Sequence, residues 1–244
     1  MRDRFFVEGV HAVGDRIAFA PDDARKLAIV LRKRSGDRVQ VVDSGGAAYA
    51  ATLAVDGRAV AATLDERLDR GDVETALRVT LAQAVPKGQK MDFVVEKATE
   101  LGAHAIVPVR SARVVGHETG AAKVERWRRI ARSAAQQSGR VRVPEVTDVH
   151  DWDALLATFP GYDRVYVPWE LAPPAPLREV FERDLPSASS ALVVIGPEGG
   201  FAADEIERAR NAGASAISLG RRILRTETAA LVVLSAMLYA RGDL

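Results

Sequence analysis

The sequence contains no cysteine, which removes disulfides, zinc ribbons, iron–sulfur clusters and thiol nucleophiles together. Histidine is scarce: His11, His104, His117 and His150 are the whole set, and no two stand at a spacing that shares one helical face. No metal site is expected. Long apolar runs are also missing. The richest, AALVVLSAML from Ala229 to Leu238, stops well short of the ~20 residues that cross a bilayer, so no membrane association is expected. The beginning, Met1-Arg2-Asp3-Arg4, lacks the basic, apolar and small-residue layout of a secretion signal. The expected location is the cytoplasm. A nucleotide P-loop and a GxGxxG fingerprint are absent as well.

What remains is a chain of 244 residues with 48% hydrophobic content, enough for one large or two modest domains. Its net charge of +1 hides two basic zones. From Arg25 to Arg38 six basic side chains face one acidic residue, Asp37; from Arg110 to Arg142 nine face Glu118 and Glu125. Such clusters suit a phosphate backbone, although basic faces are often only solvated.

The hydrophobic pattern changes along the chain. RFFVE at Arg4, RIAFA at Arg16, RVQVVD at Arg38, AYAATLAV at Ala48 and AVAATLD at Ala59 are short runs separated by turn residues, which predicts a small β-barrel. DDARKLAIVLRKR interrupts them with helical spacing, and Asp22 or Asp23 is the expected N-cap. A linker is expected at RGDVET, Arg70 to Thr75. Beyond it, strands (LRVTLAQAV at Leu77, AIVPV at Ala105, DRVYVP at Asp163, ALVVIGP at Ala191, ASAISLG at Ala214) alternate with helices (from Met91, Val124, Leu177, Ala203 and Thr226). That alternation predicts a parallel α/β sheet with helices on both faces. On the helix from Val124, Arg128, Arg132 and Gln136 fall at i, i+4 and i+8 on one face.

Two strand ends are rich in glycine and stand before helices. One is Gly196-Pro197-Glu198-Gly199-Gly200; the other is Ser218-Leu219-Gly220, followed by RRILRTETAAL with Thr226 as the expected N-cap. Ligands of open parallel sheets bind at the carboxyl ends of strands, and glycine there lets a ligand approach the backbone. A small apolar wall, a helix N-terminus and Arg225 at the mouth suit an adenosine-like ligand.

GPEGGF from Gly196, LGRRILRTETA from Leu219, GQKMDFVVEKATELGAHAIVPV from Gly88 and RWRRIARSAAQQSGRVRVPEV from Arg126, taken together, resemble the ribosomal RNA small subunit methyltransferase E family over nearly the whole chain. The resemblance implies an α/β chain: a PUA-like RNA-binding β-barrel over residues 1–72 and a SPOUT methyltransferase domain with a deep trefoil knot over residues 73–244. It implies S-adenosylmethionine as cofactor, N3 of a uridine in 16S rRNA as target, the assembled small subunit as its setting, and a homodimer. Carried over position by position, it places the cofactor on Glu170, Ile195, Gly196, Pro197, Glu198, Gly199, Leu219, Gly220, Ile223, Leu224, Arg225, Thr228 and Ala229. Arg225 is the candidate stabiliser of charge on the uracil ring, and Glu198 the candidate proton acceptor. Arg4, Lys26, Arg32, Arg34, Arg128 and Arg132 are the expected RNA contacts. Lys26 occupies the position of a family histidine and retains a positive charge. Two other readings stay open: the same fold acting on another rRNA base or a tRNA ribose, and a non-catalytic RNA-binding or ribosome-assembly module.

Overall fold

A computed structural model describes residues 3–69, 73–112, 119–173 and 175–244. The start of the expected linker (70–72), part of the second basic stretch (113–118) and residue 174 lie outside the described residues. The chain forms two compact units, residues 1–74 with 135–142, and residues 75–134 with 143–244.

The first unit is built on β1 (Arg4–Phe6), β2 (Arg16–Ala18), β3 (Arg38–Val42), β4 (Ala48–Asp56) and β5 (Ala59–Leu68), in the order β1-β3-β4-β5-β2. β1 runs parallel to β3 and the other pairs are antiparallel. This corrects the expected closed barrel. β1 and β2 are the two edges and do not pair, so the sheet is a curled half-barrel. Closure depends on pairing between distant strands, which alternation within each strand does not encode. Alternating residues, among them Phe5, Ile17, Val39, Val41, Leu53 and Leu64, bury one face, together with Phe19 and Leu27. Phe5 and Phe19 meet edge to face with centroids 5.5 Å apart.

The helix expected between β2 and β3 has a different start and a broken course. α1 (Pro21–Arg25) is capped by Ala20 and places Pro21 in the first turn, with Asp22 and Asp23 beside it. Proline starts the helix because its missing N–H would be unpaired there in any case. One π-helical turn follows over Lys26–Val30, where Leu31 N donates to Lys26 O at 2.8 Å.

Inside this unit the carboxylate of Glu74 is the most heavily used acceptor. Arg140, buried, reaches it through Nη2 at 2.6 Å and Nε at 3.1 Å, and the backbone amides of Val141 and Arg142 donate to it at 3.0 Å each. Arg4 is also spent internally. It is buried and donates to the carbonyls of Gly139 and Arg140 and to Gln40 Oε1. The expectation that Arg4 contacts RNA phosphate is therefore corrected: the side chain is buried and its Nη1 and Nη2 are held by the carbonyls of Gly139 and Arg140 and by Gln40.

The second unit carries a parallel sheet: β6 (Arg78–Ala84), β7 (Ala105–Arg110), β8 (Glu145–Val146), β9 (His150–Asp151), β10 (Arg164–Pro168), β11 (Ser190–Ile195) and β12 (Ser215–Ile217). The order is β12-β10-β11-β6-β7-β8, with β9 also on β7. Helices are α2 (Lys90–Glu100), α3 (Ala121–Ser138), α4 (Trp152–Leu156), α5 (Leu177–Asp184), α6 (Ala203–Asn211) and α7 (Thr226–Arg241). The sheet is covered on both sides, as the unbroken apolar run of β11 requires. Ala191, Val193 and Ile195 face a core with α2, α3, α5 and α7; Leu192 and Val194 face a second core with α4, α6 and Phe201. At the other end of the sheet the Asp163 carboxylate accepts from the amides and hydroxyls of Ser189 and Ser190. These bonds, led by the Ser189 amide, hold its pKa down at about 2 and join the start of β10 to that of β11.

The topology selects one sheet position. The chain leaves β6 through α2 toward β7, and leaves β11 through α6 toward β12, on the opposite side of the sheet. β6 and β11 are neighbours, with Ile195 paired to Gln83 at their carboxyl ends. Connections that diverge from adjacent strands leave a crevice between them, where α/β sheets bind ligands.

Candidate functional site

At that crevice a cleft of about 500 Å³ is lined by Lys90, Pro168, Glu170, the segment Ile195–Phe201, Ile223–Thr226 and Ala229. A smaller hollow of about 160 Å³ adjoins it, lined by Trp169, Ser218–Arg222 and five residues shared with the larger one. Three strand ends supply these walls: β10 at Pro168, β11 at Ile195 and β12 just before Ser218. The volume falls in the range of small-molecule sites, roughly 300–1,000 Å³.

Of the expected cofactor residues, Glu170, Ile195, Gly196, Pro197, Glu198, Gly199, Leu219, Gly220, Ile223, Leu224, Arg225 and Ala229 all line this space. Thr228 does not: it is exposed in the first turn of α7 and lines neither hollow. One helical step back, Thr226 takes its place at the wall. The helix cap also differs from expectation. Arg225 is the N-cap, with extended backbone and no capping side chain, and Thr226 is the first helical residue. The Thr226 hydroxyl is committed elsewhere, donating to Gly196 O at 2.6 Å and accepting from Gln83 Nε2 at 2.8 Å.

Two of the wall glycines show distinct reasons for the residue. A Cβ on Gly196 would meet the Phe201 ring at 3.1 Å, so the close approach expected of a ligand is made by the protein's own aromatic side chain. Gly220 has φ of +102°, a conformation costly for any other residue.

The charged groups form a chain across the mouth. Lys90 Nζ stands 2.8 Å from Glu198 Oε1 and 3.9 Å from Glu227, and Lys87 N donates to Glu198 Oε1 at 3.1 Å. Burial alone would raise the Glu198 pKa, but the Lys90 hydrogen bond and two backbone amides outweigh it and hold the carboxyl below the usual glutamate range. The same hydrogen bond raises the Lys90 pKa. Both groups are therefore charged at neutral pH, and their pairing is lost as pH falls through the lowered carboxyl value or rises through the raised ammonium value. Arg225 is exposed at the mouth, and among the described residues its guanidinium makes no hydrogen bond or ion pair.

Lys90, Gln83 and Thr226 are the functional candidates that sequence reasoning passed over. Lys90 stood inside the GQKMD motif, and Thr226 was read as a cap. Gln83 reads as one polar residue within an apolar strand, and that break in pattern was the available signal. Among the described residues no group of three or more His, Cys, Asp and Glu side chains could hold a metal ion, and no helix is long and apolar enough to cross a membrane.

The expected RNA contacts other than Arg4 are distributed over both units. Arg32 and Arg34 are exposed. Lys26 is half-buried, 2.9 Å from Gln136 Oε1 and above the Phe5 ring. Arg128 is half-buried and engages Glu125, Asp148 and Val146 O. Arg132, on the same helix, is half-buried.

Comparison with known proteins agrees with this geometry. A family model for the RNA methyltransferase domain matches residues 73–238. The chain is 35% identical to a ribosomal RNA small subunit methyltransferase E of Bacillus subtilis, covering 91% of each chain. Its identity with the Mycobacterium tuberculosis protein of the same name is also 35%, over 98% of this chain and 93% of that one. The solved structure of a Neisseria gonorrhoeae ribosomal RNA small subunit methyltransferase E bound to S-adenosylmethionine superimposes with a TM-score of 0.88, at 33% identity and 98% coverage of both chains.

Proposed function

Because the chain belongs to the ribosomal RNA small subunit methyltransferase E family, we propose that it methylates N3 of a uridine in 16S rRNA with S-adenosylmethionine as donor. One observation carries the reading: the glycine loop after β11, the Ile223–Arg225 segment and the start of α7 converge on a single cleft at the switch point of a parallel sheet.

The cleft suits that cofactor. Ile195, Leu224 and Ala229 offer an apolar wall to an adenine, Gly196–Gly200 offer backbone groups, and Glu170 offers a carboxylate to a cationic group. Bound there, S-adenosylmethionine supplies an electrophilic methyl group. The side chains of this protein then have two tasks: to hold the uracil in line and to stabilise the charge left on the ring as the N3 proton passes to solvent water. Arg225 suits the second task, because its guanidinium stays charged and has no partner to leave among the described residues. Glu198 is a weak base in this setting, being ionised and hydrogen-bonded to Lys90. We assign it to positioning Lys90 and the glycine loop, in place of the proton-acceptor role expected from sequence.

The reading also assigns the first unit to RNA binding through Arg32 and Arg34, with Arg128 and Arg132 contributing from α3. Reversing both charges, Arg32→Glu with Arg34→Glu, should reduce the slope of log affinity against log salt by about 1 to 2. An unchanged slope would remove these residues from the interface. The family's trefoil knot belongs to the same reading, within residues 73–244; a chain trace of that domain with no crossing would exclude it.

Methyl transfer from radiolabelled S-adenosylmethionine to small ribosomal subunits that lack the modification, followed by nucleoside analysis, tests the function. The expected product is 3-methyluridine. Another methylated nucleoside would keep the enzyme and change its target; cofactor binding and label transfer both absent from folded protein would favour the RNA-binding module. The same preparation should sediment as a dimer at micromolar concentration, since α7 exposes Val232 and Tyr239, and α2, which packs against α7, exposes Phe93. A monomer there would refute that arrangement.

A further inference from the structure

The hydrogen bonds behind the cleft form a chain of fixed polarity. Gln83 is fully buried at the carboxyl end of β6, paired in register with Ile195. Its amide nitrogen has two hydrogens and both are used, one on Ala84 O at 3.0 Å and one on Thr226 Oγ1 at 2.8 Å. Thr226, itself buried, then has one hydroxyl hydrogen, which goes to Gly196 O at 2.6 Å. The amide cannot be turned over, because its oxygen would then face the carbonyl of Ala84. The remaining atom, Gln83 Oε1, is buried without a hydrogen-bond partner among the described residues. An apolar residue would avoid that penalty, and orphaned buried acceptors are uncommon enough to call for a reason.

The reason lies in what the chain ties together. Gly196 begins the loop after β11, and Thr226 begins α7 directly after Arg225. Both segments leave the sheet for the cleft mouth, and Gln83 anchors them to a strand between two layers of core. We propose that Gln83 and Thr226 are positioning residues that lock the two cofactor loops in register. Engaging the Gly196 carbonyl from behind sets the peptide planes of the glycine loop toward the ligand, and the same hydroxyl fixes the first turn of α7 and the backbone of Arg225. This inference rests on the cofactor reading of the cleft.

The test uses the full chain with Thr226→Val, which keeps the shape and deletes the hydroxyl, Thr226→Ser, which restores it, and Gln83→Met, which removes the donor at similar volume. S-adenosylhomocysteine binding is measured by calorimetry, and amide hydrogen exchange is measured on the ligand-free proteins. Thr226→Val should weaken binding about tenfold at unchanged stoichiometry, and Thr226→Ser should bind within about threefold of wild type. Gln83→Met should follow Thr226→Val in direction. Exchange should quicken at residues 198–202 and 226–229 and stay unchanged in α2. A merely structural role would instead lower the binding-competent fraction and leave the dissociation constant alone. Wild-type affinity in Thr226→Val, or a serine variant as weak as the valine one, overturns the lock by itself. Failure of wild type to bind S-adenosylhomocysteine overturns the cofactor reading and the lock with it.

Discussion

Replacing Arg225 by alanine is expected to lower turnover roughly 10²–10³-fold while the dissociation constant for the cofactor changes by less than about threefold. The size of the effect follows from where the charge sits. The guanidinium stands at the mouth of the cleft beside Leu224 and Thr226, and Lys90, the other wall cation, is already paired to Glu198 with Glu227 nearby. Lys90 therefore offers little net positive field to a uracil anion, and Arg225 is the unpaired cation of the larger cleft's own wall among the described residues. The fold should tolerate the change. Arg225 caps α7 through its backbone, with no side-chain cap hydrogen bond to lose. Arg225→Lys should recover only part of the rate, since an ammonium restores the charge without the planar fork. Steady-state kinetics at saturating cofactor decide the matter; turnover unchanged in the alanine variant would take the transition-state role away from Arg225.

Glu74→Ala is expected to destabilise the protein by about 3 kcal/mol, a fall in thermal midpoint of roughly 6–12 °C for a chain of this length. Few side chains here satisfy so many groups. The carboxylate serves the buried guanidinium of Arg140 and the amides of Val141 and Arg142. Deleting it takes a carboxylate away from a buried cation and the acceptor away from two amides, and removing one side of a buried ion pair is the costly way to lose it. Two companions separate charge from hydrogen bonding. Glu74→Gln keeps an acceptor for the amides and should fall about halfway, whereas Glu74→Leu combined with Arg140→Met should be less damaging than Glu74→Ala alone. A Glu74→Ala midpoint within about 2 °C of wild type would show that water substitutes for the carboxylate.

The parts of this protein that were legible in its sequence are those encoded by neighbours along the chain. Short runs between turn residues located β1 to β5 of the first unit, and apolar runs alternating with helical patterns located β6, β7, β10, β11 and β12. The two glycine-containing strand ends pointed to the cleft because strand-to-helix turns at carboxyl ends are local and chemically marked. β8 and β9, of two residues each, went unseen, as did α4; segments so short carry no period.

Everything that depends on residues distant in sequence was settled only by the tertiary structure. Whether five strands close into a barrel or stop as a half-barrel depends on edge pairing between β1 and β2, which alternation leaves open. Arg4 reads as a surface cation until residues 139–140 bring buried carbonyls to it. Thr226 reads as a cap until Gly196 and Gln83, 30 and 143 residues away, claim its hydroxyl. The sequence by itself determined the longer elements, the α/β class of the second unit and the chemistry of the cleft's walls, because propensity, period and turn residues act over a few positions. Tertiary structure alone decided which polar groups are spent internally and which remain for a ligand, because hydrogen-bond partners are chosen by proximity in space.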